Sequence, residues 1–310
     1  MTPGFGALAV GLLVLGLAFG LLERLAPARP KQRWLRAGIG TDLVYWFFTP
    51  LVTKTLTRFT IVLALVLAAV AAGVPLERSQ LEAYLRPSGP LAELPWLVQL
   101  AALLLVSDLL AYGVHRLFHR RALWRFHAVH HSSTQVDWLS SVRLHPVNDA
   151  LTRMAQAVPI VLLGFDPTIL AAYVPILTVY ALFVHANVPW SFGPLRFVVA
   201  SPAFHRWHHA AEEDGLNRNF AGLFPFIDLL FGTFHMPRDR APARFGIPDG
   251  DVPEGIVAQL AWPFRPLGSV GVRFVAAQPY PGSCLSLGAD ERQRTGPPRC
   301  TLVAGACAEG

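Results

Sequence analysis

Cysteine and lysine are nearly missing from this 310-residue chain. The three cysteines, Cys284, Cys300 and Cys307, all lie near the C-terminus and none has CxxC spacing. That excludes a disulfide framework and a cysteine-built metal site. Lys31 and Lys54 are the only lysines, so the net charge of +6 is carried by arginine. Charged residues make up 15% of the chain, against roughly 25% in soluble domains. No stripe of basic and aromatic residues appears outside the apolar segments, which argues against a nucleic-acid partner. No GxGxxG follows a strand-like run and no CxxCH occurs, so the chain carries no nucleotide, flavin or haem signature of its own.

What remains is apolar: 53% of the residues are hydrophobic, and residues 1–22 hold no charged side chain. A secretory signal opens on basic residues; here Arg24, Arg29, Lys31, Arg33 and Arg36 come afterwards. The segment therefore reads as a retained transmembrane helix. A crossing needs roughly 20 apolar residues, and Gly4–Leu22, Phe59–Leu76 and Leu94–Val114 meet that need. Asp42–Leu56 is short and followed by Thr57 and Arg58, so it is expected to lie along the interface. Met154–Phe165, with Pro159 inside, and Pro167–Val184, with Pro175 inside, read as a kinked or partly inserted hairpin. The result is an all-α integral membrane protein of roughly four transmembrane helices with a cytosolic helical cap.

Three stretches follow: an N-terminal transmembrane region over 1–94, a histidine-bearing region over 95–236, and a tail over 237–310 that contributes little structure toward its end. The loop holding Glu77, Arg78, Glu82, Arg86 and Glu93 is mildly acidic, whereas 24–36 and 116–125 are basic. The positive-inside rule puts the basic segments, and the histidines with them, on the cytoplasmic side of the cell membrane.

The chemistry is carried by histidine. Eight of eleven fall in three clusters: His115-x3-His119, His127-x2-His130-His131 and His205-x2-His208-His209. Residues three and four apart share a helix face. A lone histidine is usually a satisfied core or surface residue, but two identical clusters and a third at i, i+4 are a strong constellation. Eight imidazoles exceed what one tetrahedral zinc uses and suit a pair of metal ions. His185, ending an apolar segment, is an additional ligand candidate, and His145 a weaker one. His235 is read as structural. Asp108 sits one heptad before His115. It either orients a ligand imidazole from behind or is an interfacial acid at the helix end, and Asn187 is a further candidate for such a supporting role.

With these clusters, the phrases Val129-His-His-Ser132, Arg143-Leu-His-Pro146, Phe183-Val-His-Ala-Asn187, Ser201-Pro-Ala-Phe-His-Arg-Trp-His-His209 and Asp228-Leu-Leu-Phe-Gly-Thr233 resemble the fatty acid hydroxylase and sterol desaturase superfamily, in its bacterial sterol desaturase-like branch. The resemblance covers about Asp108 to Phe234. It implies a membrane oxygenase that uses O2 and two iron ions to hydroxylate or desaturate a lipid of the sterol, fatty acyl, alkylglycerol or carotenoid type. Zinc could occupy such a nitrogen-rich site by affinity. Electrons would come from a separate ferredoxin- or cytochrome-type donor. Two other classes compete. A zinc-dependent membrane hydrolase usually adds carboxylate ligands, which the clusters lack. A metal transporter would place its ligands within the spans.

Overall fold

The computed structural model describes residues 4–248 and 252–265. The cysteines and the tail from 266 onward lie outside the described residues. Eleven α-helices are found among the described residues, with short π- and 3-10 segments, one isolated β-bridge (Ala210 with Phe245) and no strand. They are α1 (Phe5–Leu25), α2 (Ile39–Phe48), α3 (Lys54–Ala71), α4 (Arg78–Tyr84), α5 (Trp96–Phe118), α6 (Arg121–His131), α7 (Pro146–Leu162), α8 (Pro167–His185), α9 (Pro202–His208), α10 (Phe226–Leu230) and α11 (Ile256–Ala261).

Among the described residues, three helical runs are long and apolar enough to cross a membrane: α1, the 33-residue run Ile39–Ala71, and α5. Large apolar side chains along them, such as Leu13, Leu17, Phe59, Leu67 and Leu97, are exposed, as lipid-facing positions require. Helices α7 and α8 run through Pro159 and Pro175; α7 is shorter and less apolar than these runs, whereas α8, of 19 residues, is as apolar as α1. Three spans plus this hairpin thus stand where roughly four spans were expected.

The segment expected to lie along the interface is instead the start of a long helix. α2 passes into α3 through a π-segment at Thr49–Thr53. This widened turn sits at Pro50, which has no N–H to give. Asp42 does not force the helix to the surface, because the ion pairs described below bury its charge. Gly38 caps α2 at φ +79°, a backbone state that glycine adopts without strain.

Apolar burial drives little between helices surrounded by lipid, so close packing and polar contacts hold them together. Gln156 on α7 donates to Ser107 Oγ on α5 (2.8 Å), and Ser107 also hydrogen-bonds Tyr173 on α8. Thr57 on α3 donates to Asp149 on α7 (2.9 Å), and Trp46 on α2 donates to the Leu8 carbonyl of α1 (2.9 Å). Around the first staple pack Leu103, Ile160, Phe165 and Ile169. The scaffold so fixed carries α6, α8 and α9 to the end of α5.

Candidate metal centre

Nine histidines converge in two buried groups. Ligand atoms of His115, His119, His127, His131 and His208 lie within 4.8 Å of one another, and so do those of His130, His185, His205 and His209. All eight clustered histidines are present, joined by His185 from the end of α8. No carboxylate or cysteine among the described residues enters either group.

The clusters do not map one to each group. The i, i+4 pairs His115/His119, His127/His131 and His205/His209 each stay together, while His130 and His208 cross to the other group. An α-helix turns roughly 100° per residue. In His127–His130–His131 the i+3 residue and its successor therefore flank an arc of that width, with His127 between them. The single histidine face read from spacing is an arc wide enough to serve two centres.

Ring orientation is set from behind. Nδ1 donates to the carbonyl of Phe220 from His115 (2.8 Å), of Arg143 from His130 (3.2 Å), of Ala181 from His185 (2.7 Å) and of Arg218 from His208 (2.8 Å). His127 and His119 use Asn148 Oδ1 (2.8 Å) and Asn217 Oδ1 (3.2 Å) in the same way. A carbonyl only accepts, so a neutral ring that donates from Nδ1 has a lone pair on Nε2. These lone pairs meet: Nε2 of His115 is 2.9 Å from that of His127, and Nε2 of His130 is 3.3 Å from that of His185. The buried Nε2 atoms of His119 and His208 have no hydrogen-bond partner among the described residues. Converging lone pairs without a proton between them are repulsive alone and stable around a cation. The donor set fits metal ions, and imidazole suits iron, zinc, copper or nickel.

Burial, followed by neighbouring imidazoles, holds His119, His127, His131, His205, His208 and His209 well below the ordinary histidine range; for His130 the leading neighbour is His185. They are neutral at pH 7, as ligation requires. Below about pH 6.5 the unfolded chain binds protons that the folded one refuses, so stability is full above that value and falls as pH drops through it. Thermal unfolding of the metal-free chain in detergent should show a midpoint that declines from pH 7 to 5. A flat profile would contradict the burial of neutral rings.

The other candidates stand elsewhere. His145 caps α7, where its Nδ1 accepts from the Val147 N–H (3.1 Å) and its Nε2 donates to the Leu260 carbonyl (3.2 Å). Both nitrogens are occupied, and it joins neither group. Asp108 touches no histidine. Its carboxylate accepts from the N–H groups of Gly222, Leu223 and Phe224, while Asp228 accepts from Phe220 and Ala221. Two buried acids thus clamp five consecutive amides, and the clamped loop presents the Phe220 carbonyl to His115. Asn187 hydrogen-bonds the backbone of Arg29 through both ends of its amide (3.0 and 3.3 Å), tying α8's end to the segment after α1. His235 meets Trp207 edge-on, 3.6 Å from Asp214, in neither group.

Behind His130 lies an ion network that spacing did not reveal. Asp42 accepts from Arg36 (2.7 Å) and Arg143 (2.6 Å), and Arg36 also pairs with Asp137 (2.5 Å). Arg143 further donates to Ser132 Oγ and to the Gly38 carbonyl. The residue whose carbonyl orients His130 is thereby tied to the first helical turn of α2. An acid in an otherwise apolar run and an arginine beside His145 were the only sequence signals.

A membrane-spanning helical scaffold that closes nine neutral imidazoles into two adjacent groups defines a polyhistidine membrane metalloprotein. Residues 100–233 match the family model described as fatty acid hydroxylase. It is 33% identical over 175 residues to ornithine lipid hydroxylase OlsE of Rhizobium tropici, covering 56% of this chain and 53% of that protein. It is 29% identical over 158 residues to an alkylglycerol monooxygenase of Danio rerio, covering 51% and 35%. It is 27% identical over 148 residues to methylsterol monooxygenase 1 of Gallus gallus, covering 46% and 49%. The chain thus spans about half or less of these relatives. No solved structure matches it.

Proposed function

We propose that the chain is an O2-dependent lipid hydroxylase or desaturase working through two iron ions, one at each histidine group. The observation that carries this reading is the pair of buried groups built entirely of neutral imidazoles at the end of a membrane helix. Bound there, iron supplies reduction of oxygen and removal of hydrogen from an unactivated C–H bond. The residues of the chain do the rest. His115, His119, His127, His131 and His208 hold one ion; His130, His185, His205 and His209 hold the other. The carbonyl and amide oxygens behind His115, His119, His127, His130, His185 and His208 keep Nδ1 protonated and the ring aimed, so no carboxylate is needed to orient these six.

Seven of the nine histidines are buried and His115 and His119 partly so; this seclusion at the end of a membrane helix favours a bilayer lipid as substrate, in keeping with the lipids named in the relatives. A water-activating zinc hydrolase is less favoured, because neither group holds a carboxylate that could act as base. Electrons come from a separate ferredoxin- or cytochrome-type protein on the cytoplasmic side, an orientation that the arginine-rich segments support by the positive-inside rule.

The test is comparative lipid mass spectrometry of cells with and without the chain, using His208→Ala as control. The expected result is a lipid that gains an oxygen atom or loses two hydrogens, only in the presence of O2 and not in the variant. Product formation without O2, with oxygen drawn from water, would overturn the reading.

A further inference from the structure

A second site lies on the far side of α9. Between the loop 188–197, α9 and the segment 236–242 is a cavity of about 810 Å³. Four arginines line it, Arg196, Arg206, Arg238 and Arg240, and no acidic residue does. Such a set is unusual in a chain with so few charges.

Their partners are only partly provided. Arg240 pairs with Asp214, and Asp239 stands exposed beside it outside the lining. Arg206 is 4% exposed; it donates to the Val136 carbonyl (3.0 Å) and lies over the Phe245 ring. Arg196 donates to the Met236 carbonyl, and its buried Nε has no hydrogen-bond partner among the described residues. Among the described residues no carboxylate lies within ion-pair distance of Arg196, Arg206 or Arg238. Four guanidinium groups around a cavity whose lining holds no acid, only one of them in an ion pair, call for an anion, and their planar forks match phosphate oxygens.

The surroundings say which anion. Trp190, Leu195, Phe197 and Val198, on the loop that walls the cavity, are all exposed. An amphipathic rim of aromatic and aliphatic side chains beside arginines is the pattern of a membrane–water interface. A rigid protein surface would not reach the recessed Arg206, whereas a headgroup entering the cavity would. We infer that this cavity binds the phosphate-bearing headgroup of an anionic membrane lipid, its acyl chains lying against the 190–198 loop. The inference does not depend on the oxygenase reading of the histidine centre.

The metal-loaded full chain would be reconstituted in phosphatidylcholine nanodiscs containing a minor fraction of phosphatidylglycerol. Lipid retained after transfer to detergent would then be counted by mass spectrometry. Phosphatidylglycerol should be enriched over its share of the bilayer. Arg196→Gln/Arg238→Gln should lower that enrichment by about tenfold or more while metal content stays unchanged. Arg238→Glu, at an exposed position and with no buried contact to lose, should act in the same direction and separates binding from folding. Glycerol 3-phosphate should compete only weakly. Equal retention by the parent and Arg238→Glu overturns the assignment. Competition by glycerol 3-phosphate at the strength of the lipid overturns it in favour of a soluble phosphate ester. Unchanged lipid retention with impaired coupling to an acidic reductase overturns it in favour of protein docking.

Discussion

Alanine at His130 or His208 is expected to abolish metal binding and lipid oxidation together. Each ring crosses from its own helix to the group built mainly by the others, and no spare imidazole or carboxylate stands nearby to replace it. Loss of a residue that only supports a ligand costs about 10- to 100-fold in affinity or activity, and loss of the ligand itself should exceed that. His145→Ala is the matched contrast: its ring caps α7 and bonds the Leu260 carbonyl. It should keep its metal and lose about 1 kcal/mol of stability. Elemental analysis and product assay of the purified variants decide the matter. Full metal in His208→Ala, or an empty centre in His145→Ala, would refute the assignment of ligands.

The second large effect is expected at Asp42. It is fully buried and accepts from both Arg36 and Arg143. Truncating it to alanine leaves two guanidinium groups buried with one acid, Asp137, in place of two. Breaking a buried pair in this way costs about 3–5 kcal/mol. Arg143→Met should cost a similar amount and also loosen the turn whose carbonyl holds His130. Thermal unfolding in detergent should show a midpoint many degrees below the parent for both variants. Iron content should fall further in Arg143→Met than in a variant of equal stability loss made in the α5–α7 core, such as Ile160→Ala. Midpoints within a degree or two of the parent would show that the network is dispensable.

The histidine constellation and the helical class were legible because period and ligand spacing are local properties. His115 to His119 and His205 to His209 announce themselves within one or two turns. What holds them is not local. The carbonyls of Phe220, Arg143, Ala181 and Arg218 carry no residue signature, since every residue has one. Asn148 and Asn217, which hold His127 and His119, lie far from any ligand spacing that could mark them. Asp108 was read from its distance to His115 along the helix, yet a buried carboxylate takes whatever donors the tertiary fold brings, here three loop amides. The 42–56 segment misled in the opposite direction: its shortness and the Thr57 and Arg58 that follow suggested the interface, whereas Arg36 and Arg143 bury Asp42 and the helix runs on. Hydropathy alone could not foresee that a π-turn would carry one helix past Pro50.

The division of each histidine run between two groups makes α6 and α9 common struts. Neither centre has a helix to itself apart from α5 on one side and α8 on the other. A slip of α6 by a single residue, about 100° of rotation, would withdraw His127 and His131 from one group and His130 from the other at the same stroke. The two sites therefore form as one unit. On the proposed two-ion reading, a first ion that fixes the roll of α6 and α9 also aligns the rings awaiting the second, so metal titration is expected to show cooperative loading.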